Sequence, residues 1–212
     1  KKRGYFCPSI DEPVRSTMSR YFPPVESQSG VSTVRSIYSD PRTQSDSAGH
    51  ILHAALFRMA KASIQIENAY LIPSRRLREA LLEAARRGVR VDIITNSKES
   101  NDVASLWYAS ANFYKMFAQG NVHVREILGT QTIHSKTVLI DGRWGLVGSF
   151  NLCGHSIHMT SEIMGLTDDL YTVQSLAQTF QEHLAYSQPA PTEFDALEWT
   201  KIKAARLFLP FM

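Results

Sequence analysis

The chain has 212 residues, 43% of them hydrophobic, and a net charge of +3. That suits a soluble or peripherally membrane-associated globular chain with one sizeable core, and no apolar run is long enough to span a bilayer. The two cysteines, Cys7 and Cys153, imply neither a disulfide framework nor a metal cluster, and the mild positive charge tolerates a phosphate-bearing partner without predicting nucleic acid. The first residue is Lys1, not methionine, as expected of a processed product, a trimmed chain or part of a longer polypeptide.

Residues 1–30 hold Pro8, Pro13, Pro23, Pro24 and a Ser-Gln-Ser-Gly run, and read as a linker or wrapping arm. Residues 31–38 alternate like a strand, and 48–60 are helical in pattern, with Leu52, Leu56 and Met59 on one side. A second strand is expected over 63–67, with a loop at 70–73. Residues 75–87 form a strongly amphipathic helix that stops at Gly88; its arginines make the wet face. A strand over 89–95, a helix over 102–119, a short strand over 122–127 and a helix over 170–184 follow. Strands alternating with helices imply an α/β domain over 31–188 with a mostly parallel central sheet and helices on both faces. The tail, 189–212, mixes Trp199 and Phe208 with Lys201, Lys203 and Arg206. It is expected to pack on the domain or on a partner half, and its composition is also compatible with an anionic membrane surface.

The most informative stretch is 134–151, HSKTVLIDGRWGLVGSFN. His134 and Lys136, two apart, share one strand face. Residues 137–140 are apolar and β-branched, Asp141-Gly142 reads as a two-residue hairpin turn, and 144–147 is the return strand. Ser149 and Asn151 then share a face at its end. One hairpin thus gathers an imidazole, an ammonium, a hydroxyl and a carboxamide, a set suited to phosphodiester chemistry. The imidazole can attack phosphorus or protonate a leaving oxygen. The lysine sets positive charge where phosphoryl oxygens gain negative charge, and Ser149 and Asn151 can hydrogen-bond the same oxygens. Asp141 lies an odd number of residues from His134 and is explained by the turn, so it is expected to be structural. Taken singly, each residue has a plainer reading as a strand histidine, a surface lysine or a turn residue.

Ligands of open sheets collect at the carboxyl ends of strands. That adds Glu67, Asn68, Tyr70, Asn96 and Ser97 as substrate-binding candidates, although helix capping and turn formation would also account for the Asn and Ser residues.

The pattern H-x-K-x(4)-D followed by G-S-x-N resembles the HKD signature of the phospholipase D superfamily, and it occurs once. The resemblance extends over roughly residues 31–185, which look like the C-terminal half of a two-motif phospholipase D protein. Thr95-Asn96-Ser97 with Asp102 is similar to a segment of bacterial cardiolipin synthases. The resemblance implies a phosphodiesterase or phosphatidyltransferase acting on phospholipids through a phosphohistidine, with no metal ion or other cofactor. It also implies Glu162 as the carboxylate that holds the histidine ring. One histidine would attack phosphorus while a histidine of a second motif protonates the departing alcohol. The second motif of such proteins usually supplies the acid and base, the role implied for His134. A second HKD half, from the same polypeptide or a homodimer, is the implied partner. Many such halves carry an arginine where this chain has His155 before Ser156, which bears on head-group specificity. Two further readings are a single-motif homodimeric nuclease or phosphodiesterase, which would suit a shorter lead-in and more positive charge, and a non-catalytic binding domain, which would not need His134, Lys136, Ser149, Asn151 and Glu162 together.

Overall fold

The computed structural model describes residues 32–43 and 46–207, so the arm expected over 1–30 lies outside the described residues. Within them are strands β1 (Val34–Ser39), β2 (Ser63–Asn68), β3 (Arg90–Thr95), β4 (Val122–Ile127), β5 (Lys136–Ile140), β6 (Trp144–Gly148), β7 (Glu162–Thr167) and β8 (Ser187–Pro189). The helices are α1 (Ala48–Met59), α2 (Arg75–Arg86), α3 (Ala104–Gln119), α4 (Gly154–His158), α5 (Leu170–Ala185) and α6 (Ala196–Ala205). All eight strands share one sheet, in the order β1-β7-β6-β5-β2-β3-β4-β8.

Alternation along the central strands sorts side chains onto two faces. Ile64, Ile66, Val91, Ile93, Val138 and Ile140 join the main core beneath α1, α2 and α3, with Phe57, Leu77, Leu81 and Phe117 from the helices. Each large side chain buried this way contributes about 1.5–3 kcal/mol. α2 forms where the pattern predicted it, because Leu77, Ala80, Leu81 and Ala84 bury one stripe. Ser74 caps its start by accepting from the Leu77 N–H, and Gly88 beyond its end holds the positive φ of 87°. The opposite face of the sheet is covered by α5 through Val173 and Phe180, with Leu139 buried on that side.

The sheet corrects one expectation: it is mixed, not mostly parallel. Only β2–β3 and β3–β4 are parallel, and every other neighbouring pair is antiparallel. Parallel pairing needs a long crossover, which α2 and α3 supply. The tight turn between β5 and β6 can only reverse the chain, and the link of residues 149–161, which carries α4, also returns β7 antiparallel to β6. β7 is a strand that the sequence analysis left unassigned, where Gly165 interrupts the run of strand-forming residues.

The tail packs onto the domain as far as it is described. Phe194 meets Trp107 and Trp199 edge-on, Ile202 is buried, and Asn112 donates to the Ile202 carbonyl at 2.9 Å. Three arginines in or just beyond α2 are engaged. Arg76 pairs with Asp46, Arg75 with Glu79, and the Arg87 guanidinium donates to the Phe57, Arg58 and Ala60 carbonyls that end α1.

Candidate active site

His134 ends a loop, and Lys136 opens β5. The β5 register sets Lys136 opposite Asn68 of β2, and Thr137 opposite Val147 of β6. Lys136 Nζ donates to the His134 carbonyl at 2.7 Å and lies 5.9 Å from the centre of the Tyr70 ring. The same ring meets the His134 imidazole edge-on at 6.2 Å. His134 is exposed and Lys136 half-buried. Burial holds the Lys136 ammonium below the ordinary lysine range, against the opposing pull of Glu162 and Asp102. Burial first, and bonding to Asp102 second, push the Tyr70 phenol up to about 12. Its hydroxyl therefore stays a donor, bonded to both Asp102 oxygens at 3.0 Å.

On the β6 side, Ser149 Oγ donates to Glu162 Oε2 and accepts from the Ile163 N–H at 3.0 Å. Thr160 Oγ1 donates to Glu162 Oε1 at 2.8 Å. Glu162 is buried while Ser149 is exposed, so the hydroxyl stands between a fixed carboxylate and solvent. Gly148 is required here. A Cβ at that position would strike the Ile163 carbonyl and lie 2.7 Å from the Met164 Cα, so β6 and β7 could not approach this closely.

The bend Ser149–Phe150–Asn151 is clamped from several directions. Asn68 Nδ2 donates to the Phe150 carbonyl at 3.4 Å, and Asn68 Oδ1 accepts from Leu152 N–H at 3.1 Å and Tyr70 N–H at 3.3 Å. Phe150 stacks on the buried His53 at 4.8 Å between ring centres. Gly49 leaves room for it, since a Cβ there would come within 2.6 Å of the Phe150 ring. Asn151 N–H donates to Ser156 Oγ at 3.1 Å. The Asn151 Oδ1 is buried and has no hydrogen-bond partner among the described residues. Cys153 is also buried next to this bend, and burial raises its thiol pKa, which keeps it a neutral packing group.

The structure therefore divides the candidate residues. It gathers His134, Lys136, Tyr70, Ser149, Asn151 and Glu162 at one end of the sheet. The Glu162 carboxylate, expected to hold the His134 ring, is bonded to Ser149 and Thr160 instead. The side chains of Asn68 and Asn96 are bonded to the backbone. Asn96 Nδ2 donates to the Ala69 and Ile133 carbonyls at 3.2 and 3.0 Å, and its Oδ1 accepts from Ile133 N–H at 2.9 Å. That fixes the residue preceding His134. Ser97 is turned into a bend with Ser100. Glu67 faces away: it is buried on the α5 side and bonded to His183 at 2.8 Å, because strand alternation sends it opposite to Asn68. Asp141 lies at the far end of β5, where its carboxylate accepts from the N–H groups of Lys61, Ala62 and Ser63 at 2.7–3.1 Å. Those bonds hold its pKa below the usual carboxylate range, against burial. Asp141 and Gly142 both have positive φ, 55° and 61°, and three residues rather than two separate the paired Ile140 and Trp144. Thr160 and Ser156 were missed. Thr160 stands two residues before Glu162, a same-face spacing that becomes readable once β7 is recognised. No group of three or more His, Cys, Asp or Glu residues placed to hold a metal ion occurs among the described residues.

A mixed sheet carrying this hairpin at one end defines a phospholipase D-like domain, and the chain belongs to that family. The family model described as "Cardiolipin synthase, PLD-like domain" matches residues 54–184. The chain is 32% identical over 178 residues to Cardiolipin synthase A of Edwardsiella ictaluri, covering 84% of this chain and 35% of the relative. It thus spans about a third of the length of the curated relatives it matches. Among solved structures, phosphatidylserine synthase of Haemophilus influenzae superposes with a TM-score of 0.69 at 19% identity, over 86% of this chain and 48% of that one. Nuc, a phospholipase D family member from Salmonella typhimurium, does so with a TM-score of 0.61 at 22% identity, over 76% of this chain and 99% of that one.

Proposed function

We propose that the chain supplies one HKD half of a phospholipase D-type phosphodiesterase or phosphatidyltransferase that acts on phospholipids through a phosphohistidine. The observation that carries this reading is the convergence of His134, Lys136, Ser149 and Glu162 at one open end of the sheet, in a chain similar to cardiolipin synthases. His134 stands exposed, and the Asn96 side chain holds the Ile133 backbone just before it. A histidine of a second half attacks phosphorus, forming an N–P bond as the P–O bond to the departing alcohol breaks, and His134 gives its proton to that oxygen. His134 then removes a proton from water or an incoming alcohol, whose oxygen attacks phosphorus and releases the first histidine. Water completes a hydrolysis and an alcohol completes a transfer. Lys136 holds positive charge beside the phosphoryl oxygens, and Ser149 turns its single O–H from Glu162 to donate to one of them.

A partner is also favoured by the surface next to this end. Val34, Val147 and Ile163, at 59%, 41% and 58% exposure, lie on the same sheet face as α5, on the strands toward the β1 edge. Ile163 bonds directly to Ser149 through its backbone. A second half seated there would bury the apolar patch and bring its histidine to the phosphorus.

The test is the solution mass of the chain by light scattering, taken together with turnover of phosphatidylglycerol vesicles. A dimer that turns over lipid, or a monomer that does so only when a second motif-bearing half is added, is expected. In the active assembly His134→Ala should be inert and acid-labile phosphate should be trapped on histidine. Undiminished turnover by His134→Ala would overturn the reading.

A further inference from the structure

We propose that an apolar groove at the opposite end of the β5–β6 hairpin binds the acyl chain of an anionic membrane lipid, with the lipid's head group held by Lys61 and Arg143. The groove encloses about 530 Å³, within the range of ligand pockets, between α1 and the turn of the hairpin. Leu52, Leu56 and Ile140 form its floor, and Trp144 and Leu166 its far wall. Met59, at 71% exposure, stands at its mouth. It is separate from the His134 end: Ile140 is four residues along β5 from Lys136, about 13 Å at the usual strand rise.

The rim selects the charge of the occupant. Lys61 and Arg143 both line the groove, and Arg35 stands directly across the β1–β7 pair from Leu166. None of the three forms an ion pair among the described residues. The one acid on the rim, Asp141, is already committed to three backbone N–H groups. Its one negative charge, which also attracts Lys61, is outnumbered by the three cations, so the rim is net positive. An apolar trough with a cationic edge matches a chain carrying an anionic head. A neutral amphiphile would leave the cations unpartnered, and a free anion would leave the trough wet. Arg143 packs 5.8 Å from the centre of the Trp144 ring, so head-group and chain sites are contiguous. The site does not depend on the His134 chemistry.

The experiment is calorimetric titration of the full chain with dodecyl phosphate below its micellar concentration, alongside orthophosphate and dodecyl maltoside. Dodecyl phosphate should bind at least tenfold tighter than either. Ala55→Trp places a large ring at an exposed α1 position lining the groove. Arg143→Glu reverses a charge on the exposed turn. Each should weaken dodecyl phosphate at least tenfold with an unchanged circular dichroism spectrum. If Ala55→Trp does not fold, Arg143→Glu decides alone. Equal binding of orthophosphate would reduce the site to an anion contact, and equal binding of dodecyl maltoside would remove the role of the rim. Undiminished binding in Arg143→Glu would place the ligand elsewhere, at the His134 end among other positions. Each of these three results, or no binding of dodecyl phosphate at all, overturns the proposal.

Discussion

The two ends of the β5–β6 hairpin come from one short stretch of sequence and are built on opposite plans. At the turn, Asp141 finds every partner within the chain, drawing three successive N–H groups onto one carboxylate. At the other end His134 and Ser149 are exposed, the Lys136 ammonium is partly desolvated, and a buried Asn151 oxygen has no partner among the described residues. A buried acceptor left unpaired costs about 1–3 kcal/mol, and a fold that retains one has reason to keep it for something outside itself. The comparison separates residues that a motif keeps for architecture from those it keeps for chemistry.

That division can be broken by substitution, and the largest effect is expected at the open end. His134→Ala should lower kcat by about 10²–10⁴-fold, the contribution of a positioned acid or base, with an unchanged melting temperature because the ring is exposed. Lys136→Ala should follow at about 10²–10³-fold in kcat/KM, by analogy with loss of one charge-stabilising donor. Because burial lowers the pKa of this ammonium, the wild-type rate should fall at a pH below the ordinary lysine range. In Lys136→Arg that alkaline limb should move upward, and an unmoved limb would detach Lys136 from the rate. Asn96→Ala touches no substrate in this scheme. By freeing Ile133 it should lower kcat by about 10–10²-fold, the usual consequence of misplacing a reacting group, while KM changes little. A rise in KM alone would make Asn96 a binding residue after all.

The turn end should respond in the reverse sense. Asp141→Ala should leave kcat in place and cost about 1.5–3 kcal/mol of stability, as expected for lost hydrogen bonds to a charged group, read by urea unfolding. The sign with pH follows from the lowered folded-state pKa. The stabilisation is fully present above the unfolded aspartate value and is lost as pH falls through the folded one. Asp141→Asn should therefore flatten the acid limb of the stability curve. An Asp141 variant that lost turnover without losing stability would erase the distinction between the two ends.

Much of this arrangement was legible in the chain. α2, β3, β4 and the hairpin fall within a residue or two of the expected spans, because each has a clear period and a capping or turn residue at its end. The order of the strands was not legible, since β7 offers no clean alternation and β8 is only three residues long. Among site residues, Lys136 and Ser149 could be read from local spacing. The bonds that Asn68, Asn96 and Glu67 make to distant segments could not, because those partners lie 27 to 116 positions away. Glu162 was found by resemblance, yet its bonds to Ser149 and Thr160 appear only when β6 and β7 are laid side by side.

The Asn68 clasp has a consequence for how the protein comes into being. It ties Phe150 and Leu152 to a strand completed more than eighty residues earlier, so no local fragment holds the information for the bend. As the chain leaves the ribosome, Asn68 can accept from the Tyr70 N–H at once, but its bonds to Phe150 and Leu152 must wait until residue 152 has emerged. Non-local closures of this kind are slow steps in folding. The Ser149–Asn151 bend is therefore among the last parts to set, and the Leu152 amide should exchange with deuterated solvent only when β2 itself lets go.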